Sequence, residues 1–135
     1  RRVLAHKVAV TLEASHAREV IEQAFARHGT PEIVNTDQGS QFTSTDFTDL
    51  LLKHKIAISM DGKGAWRDNV FVERLWRSVK YEEVYLKGYE SLPVARRELK
   101  VFMDYYNSQR GHQSLDYKTP DEVYFSALPA IPLAA

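Results

Sequence analysis

Cysteine is absent from the 135 residues. That excludes disulfides and thiolate metal sites, and it suits a reducing compartment. A surplus of charge is absent too. Eighteen lysines and arginines face 18 aspartates and glutamates, for a formal net charge of zero. A nucleic-acid-binding domain ordinarily carries a basic surplus, so the sum leans away from that class and only the distribution of charge can restore it. No run approaches the roughly 18 apolar residues of a membrane-spanning helix. The opening Arg1-Arg2-Val3-Leu4-Ala5-His6-Lys7 is charged too early and too often for a secretory signal. The five histidines show no zinc spacing, and there is no internal repeat or low-complexity segment. What remains is an ordinary globular composition, 44% hydrophobic and 27% charged, of a length that suits one domain with one core.

Val3 to Leu12 is rich in Val, Leu and Thr without a helical period and predicts a strand. Ser15 is a candidate cap for a following helix whose face is Ala17, Val20, Ile21, Ala24 and Phe25, and Gly29 stands where a left-handed residue ends it. Glu32 to Thr36 predicts a short strand, with Gly39 and Ser40 forming the turn beyond it. Ser44 then caps a helix with Phe47, Leu50 and Leu51 on one side. Lys55 to Met60 alternates Ile56, Ile58 and Met60 in the pattern of a half-buried strand. Asp61 to Arg67, with Gly62 and Gly64, reads as a loop, either one that closes over a substrate or a plain connector. Asp68 caps a helix on which Glu73, Arg77 and Lys80 share one face while Val72, Leu75 and Val79 share another, suited to packing on a sheet. Pro93 opens a further helix buried through Ala95, Leu99, Phe102 and Tyr106 and broken at Gly111. Thr119-Pro120-Asp121-Glu122 is a capping box, and the small apolar residues after Ala127 read as a loose tail.

Two carboxylates stand out. Asp37 follows the short strand and Glu73 lies one turn into a helix, with 35 residues between them. Carboxylates brought together from distant points are what a divalent-metal site for phosphoryl transfer needs, since Mg²⁺ takes hard oxygen ligands and usually one or two protein carboxylates. The plain alternatives are an Asx turn at Asp37 and an i,i+4 ion pair from Glu73 to Arg77. Between Lys63 and Lys80 five basic residues (Lys63, Arg67, Arg74, Arg77, Lys80) meet two acidic ones, so the missing basic surplus reappears locally. Trp66 and Trp76 lie within that stretch. An aromatic beside cations can stack on an unpaired base, but core burial is the expectation for Trp76.

Thr36-Asp37-Gln38-Gly39-Ser40-Gln41-Phe42-Thr43-Ser44 resembles the second-Asp motif of DDE transposases and retroviral integrases. Asp68-Asn69-Val70-Phe71-Val72-Glu73 resembles their Glu motif, at similar spacing. A third block, Tyr106-Asn107 with Arg110, His112, Leu115, Thr119, Pro120 and Glu122, resembles the tail of insertion-sequence transposases. The resemblance implies an α/β chain with a ribonuclease H-like fold: residues 1–127 would be a partial integrase-type catalytic core and 128–135 a flexible tail. It implies Asp37 and Glu73 as catalytic ligands of Mg²⁺ or Mn²⁺, Lys80 as a phosphodiester contact seven residues after Glu73, and Arg77, Lys63, Arg67 and Asn69 as further nucleic-acid-binding residues, with Ser40 and Gln41 near the backbone. The family's first Asp has no counterpart here, because no aspartate precedes Asp37. By the family pattern Arg1 falls inside the third strand, so the first two strands and their Asp are expected upstream and the chain alone is expected to be inactive. The implied partners are transposon-end and target DNA and further copies of the chain, in the bacterial cytosol at the nucleoid. Two other readings stay open: a non-catalytic DNA-binding or self-associating remnant, and a ribonuclease H-type nuclease.

Overall fold

In this structure, a computed structural model, residues 1–60 and 70–128 are described. They fall into two compact units, Leu4–Arg96 and Arg1–Val3 together with the chain from Arg97 onward. No described helix is long and apolar enough to cross a membrane.

The first unit is built on a two-stranded parallel sheet. The elements run α1 (Ala14–His28), β1 (Ile33–Thr36), α2 (Ser40–Thr43), α3 (Thr45–Lys53), β2 (Ala57–Met60) and α4 (Val70–Val79), with a π-helical turn at Lys80–Val84. Phe47, Leu51 and Ile56 are fully buried, and Ala17, Ile21, Phe25, Val34, Phe42 and Ile58 pack against them. The alternation at Ile56 and Ile58 and the helical spacing of Ala17, Ile21 and Phe25 thus meet in one core. Gly29 closes α1 with φ at +80° and its N–H on the Phe25 carbonyl at 2.9 Å, a conformation that glycine adopts without a Cβ penalty. Ser44 caps α3 by accepting from the Phe47 N–H.

Four expectations fail in this unit. Val3–Leu12 is not a strand. A strand needs a partner for its backbone groups, and β1 and β2 pair with each other alone among the described residues. Side chains serve this segment instead: Arg96 Nε donates to the Val8 carbonyl at 3.2 Å. α1 begins one residue before Ser15, with Glu13 at the cap position and no side-chain cap. Ser40 starts a helical turn of four residues where a simple turn was expected. On α4, Val79 is buried and Leu75 half-buried, but Val72 is 47% exposed and Trp76 51% exposed. Trp76 is therefore not a core residue here: it shares its helix face with Val72, which is exposed as well. The expected loop Asp61–Arg67, the cap Asp68 and the residues after Leu128 lie outside the described residues.

The second unit is organised by the Tyr106–Glu122 block. α5 (Leu92–Ser108) buries Phe102, Met103 and Tyr106. A 3₁₀ turn at Gln113–Leu115 and α6 (Pro120–Ala127) follow. The Thr119–Glu122 capping box forms as read, with Pro120 in the first turn. Gly111 is fixed by close approach: a Cβ there would sit 2.5 Å from the Tyr117 carbonyl oxygen. Asn107 holds the backbone of Val3 from both sides, accepting from its N–H and donating to its carbonyl, each at 2.8 Å. Arg2 pairs with Asp121 at 2.6 Å and lies over the rings of Tyr124 and Phe125.

Candidate active site

β1 and β2 run parallel in register from Ile33 opposite Ala57 to Thr36 opposite Met60. Their carboxyl ends therefore lie along one edge of the sheet, the edge beyond which ligands gather in open α/β folds. Asp37 is the first residue past that edge on β1. Thr36 is buried and Asp37 exposed, so the chain surfaces at the carboxylate. The Gly39 N–H donates to Asp37 Oδ1 at 2.8 Å, which is the Asx turn the sequence allowed. The carboxylate leans so close over this loop that a Cβ on Gly39 would stand 2.9 Å from Oδ1 and 3.0 Å from Gln41 Oε1. The turn engages one oxygen; Asp37 Oδ2 carries no hydrogen bond among the described residues. Forming the turn and holding an ion are thus compatible roles for one side chain.

β2 ends at Met60 on the same edge, α4 is the next described element, and Glu73 lies in the first turn of that helix. It belongs to the same compact unit as Asp37 and is exposed. The i,i+4 ion pair to Arg77 does not form: among the described residues neither side chain has a hydrogen bond or ion pair. Arg74, Arg77 and Lys80 are likewise exposed, with no ion pair among the described residues. α4 and the turn after it therefore present one carboxylate and three cations to solvent, none of them ion-paired among the described residues, with Trp76 between Arg74 and Arg77 in sequence. Lys63, Arg67 and Asn69 lie outside the described residues. Ser40 is exposed at the start of α2, and Gln41 is half-buried beside Gly39. No three His, Cys, Asp or Glu side chains gather as a metal cluster among the described residues.

His112 and Arg110 are occupied by the fold. An Arg110 amino group lies 3.3 Å from His112 Nδ1, and because a guanidinium can only donate, Nδ1 is the acceptor in this contact. The ring is buried and meets Tyr106 edge-on at 4.9 Å. The His112 N–H donates to the Lys118 carbonyl at 3.1 Å, so this residue holds the turn after Gly111. Tyr106 is 2% exposed as expected of helix packing, while Tyr105 keeps 44% of its surface exposed. Sequence reasoning missed Asn107 as the anchor of Val3, which nothing local to Asn107 signals, since its partner lies 104 residues away. It also passed over Glu83, a carboxylate only 3% exposed just beyond Lys80.

Two family models, each described as an integrase core domain, match residues 1–65 and 54–120. The chain belongs to the integrase-core family. It is 31% identical over 125 residues to the transposase for insertion sequence element IS904 of Lactococcus lactis, covering 90% of this chain and 49% of that one. The chain spans about half the length, or less, of the curated relatives it matches. Among solved structures, the catalytic core domain of BIV integrase superposes with a TM-score of 0.70 at 22% identity, over 90% of this chain and 76% of that one. The HTLV-2 integrase catalytic core domain, solved as a dimer in complex with magnesium, does so with a TM-score of 0.56 at 18% identity, over 89% and 74%. The integrase core expected from the motifs is thus present, with the ribonuclease H-like fold of retroviral integrase catalytic cores.

Proposed function

We propose that this chain is part of a DDE transposase catalytic core, acting on transposon-end and target DNA in the bacterial cytosol, with Asp37 and Glu73 as the carboxylates of a Mg²⁺ or Mn²⁺ site. The observation that carries the reading is topological. Asp37 stands at the carboxyl edge of a parallel strand pair, and the chain leaving that same edge leads to a helix whose Glu73 is exposed and unpaired among the described residues. The donor set fits the ion: two exposed hard-oxygen carboxylates are what Mg²⁺ ordinarily takes from a protein, the rest coming from water and phosphate. When bound, the ion supplies activation of the attacking oxygen and neutralisation of charge on the phosphate. The chain's own residues divide the remaining work. Lys80 and Arg77 hold the phosphodiester by charge, and the Gly39 N–H fixes the Asp37 carboxylate through Oδ1 while leaving Oδ2 for the ion.

With two carboxylates in place of the family's three, this chain alone does not join DNA strands. Positioning and electrostatics carry nearly all of phosphoryl transfer, so a missing ligand removes most of the rate. Strand joining by the isolated chain that disappears in Asp37→Ala overturns that statement. The site itself is tested by adding Mn²⁺ and following paramagnetic broadening of backbone NMR signals. Broadening centred on both Asp37 and Glu73, abolished at both by Asp37→Asn, is expected. Broadening at one carboxylate that ignores substitution of the other refutes a shared ion.

A further inference from the structure

We propose that Glu83, gripped by Lys87 and Tyr89, is a positioning residue that keeps the helix end bearing Lys80 closed and so presents Lys80 to phosphate. The assignment rests on the reading of Lys80 as a phosphate contact. α4 does not stop at Val79. It widens into the π-helical turn Lys80–Val84, in which the Tyr85 N–H reaches back to the Lys80 carbonyl at 2.8 Å. π turns are rare as insertions at helix positions and recur at functional sites. Helix ends fray unless something ties them down.

Here the tie is a carboxylate taken out of water. Among the described residues Glu83 is the one acidic residue with a buried side chain, at 3% exposure. A buried charge must be paired and hydrogen-bonded to be tolerated, and both oxygens are met: Lys87 Nζ donates to Oε1 at 2.8 Å and the Tyr89 hydroxyl to Oε2 at 3.2 Å. The Lys87 N–H also bonds the Glu83 carbonyl at 3.1 Å. Residues 83, 87 and 89 are thereby locked together immediately after Lys80, whose own side chain is exposed with no ion pair among the described residues. With the turn closed, Lys80 stays on the face of Glu73 and Arg77, two turns beyond the first and one beyond the second.

The experiment measures binding of this chain to a fluorescein-labelled duplex of about 20 base pairs across salt concentrations, with hydrogen exchange of the Tyr85 amide alongside. One phosphate contact contributes a salt slope of about 0.9, or about 3.5-fold in affinity between roughly 50 and 200 mM. Lys80→Ala is expected to lose that slope. Glu83→Gln, and Tyr89→Phe with its ring retained, are expected to speed Tyr85 exchange at least tenfold and to lose the same slope, but to lose nothing further in a Lys80→Ala background. Unchanged Tyr85 exchange in Glu83→Gln and Tyr89→Phe overturns the clamp. Faster exchange with an intact slope, or an equal loss with and without Lys80, overturns the positioning role. If Lys80→Ala itself leaves the slope intact, the phosphate reading of Lys80 fails and this assignment with it, while Tyr85 exchange still reports whether the turn was held.

Discussion

Replacing Asn107 by alanine removes both hydrogen bonds that fix Val3, the N–H at 2.8 Å and the carbonyl at 2.8 Å. Each such bond contributes about 0.5–1.5 kcal/mol net, so together they hold the segment by about 1–3 kcal/mol. The loss is local to the first residues, because Arg2 remains paired with Asp121 and stacked on Tyr124 and Phe125. The sensitive readout is therefore the Val3 amide itself. Where opening is fast relative to exchange, the exchange rate follows the open population, and about 1–3 kcal/mol corresponds to an increase of about 5- to 150-fold. Asn107→Asp separates the two bonds. A carboxylate still accepts from the Val3 N–H but cannot donate to its carbonyl, so exchange should rise by an intermediate amount. A Val3 amide that exchanges at the same rate in all three proteins refutes the clamp, and with it the view that this Asn serves the fold rather than a ligand.

Phe47→Ala should lower the stability of the Leu4–Arg96 unit by about 3–5 kcal/mol in urea titration, because the ring is fully buried and meets Phe42 edge-on at 5.3 Å. Thr119→Ala should cost about 1 kcal/mol, as it deletes the acceptor for the Glu122 N–H in the capping box. Lys7 hydrogen-bonds Glu19 and holds its carboxyl below the usual carboxylate range. The pair's contribution is therefore present above the ordinary carboxylate pKa and is lost as pH falls through the lowered one; Lys7→Gln should raise the Glu19 midpoint in an NMR titration.

Helices and strands that close on their own neighbours were legible in the sequence, because the interactions that define them are local. Ser44 and Thr119 announce their caps within three residues, and Phe47, Leu50 and Leu51 mark the buried side of α3 by spacing alone. Val3–Leu12 shows the opposite case. Its β-rich composition describes a preference for a pleated, half-buried surface, and preference yields no strand where the described sheet offers it no pairing; Val10 and Leu12 stay exposed. Trp76 fails for the same reason. Spacing puts it on the apolar side of α4, but spacing does not state whether a partner surface lies against that side.

The candidate site was proposed from the sequence by a different route. Nothing in the local chemistry of Asp37 separates a metal ligand from a turn former, and the structure contains the turn: Gly39 N–H on Oδ1 at 2.8 Å. What singled out Asp37 was its place in a motif and its distance from Glu73. The parallel register puts Asp37 just past the carboxyl edge of β1, the edge at which β2 also ends. At the third block the motif alone assigns no role to Asn107, Arg110 and His112. Asn107 is spent on the Val3 backbone, and Arg110 lies against Tyr106 and His112. A recurring polar residue can thus report the closing of a fold as readily as the binding of a ligand, and only its hydrogen-bond partners tell which. By that measure the cations to test first against DNA are Arg74, Arg77 and Lys80, whose side chains the described fold does not use.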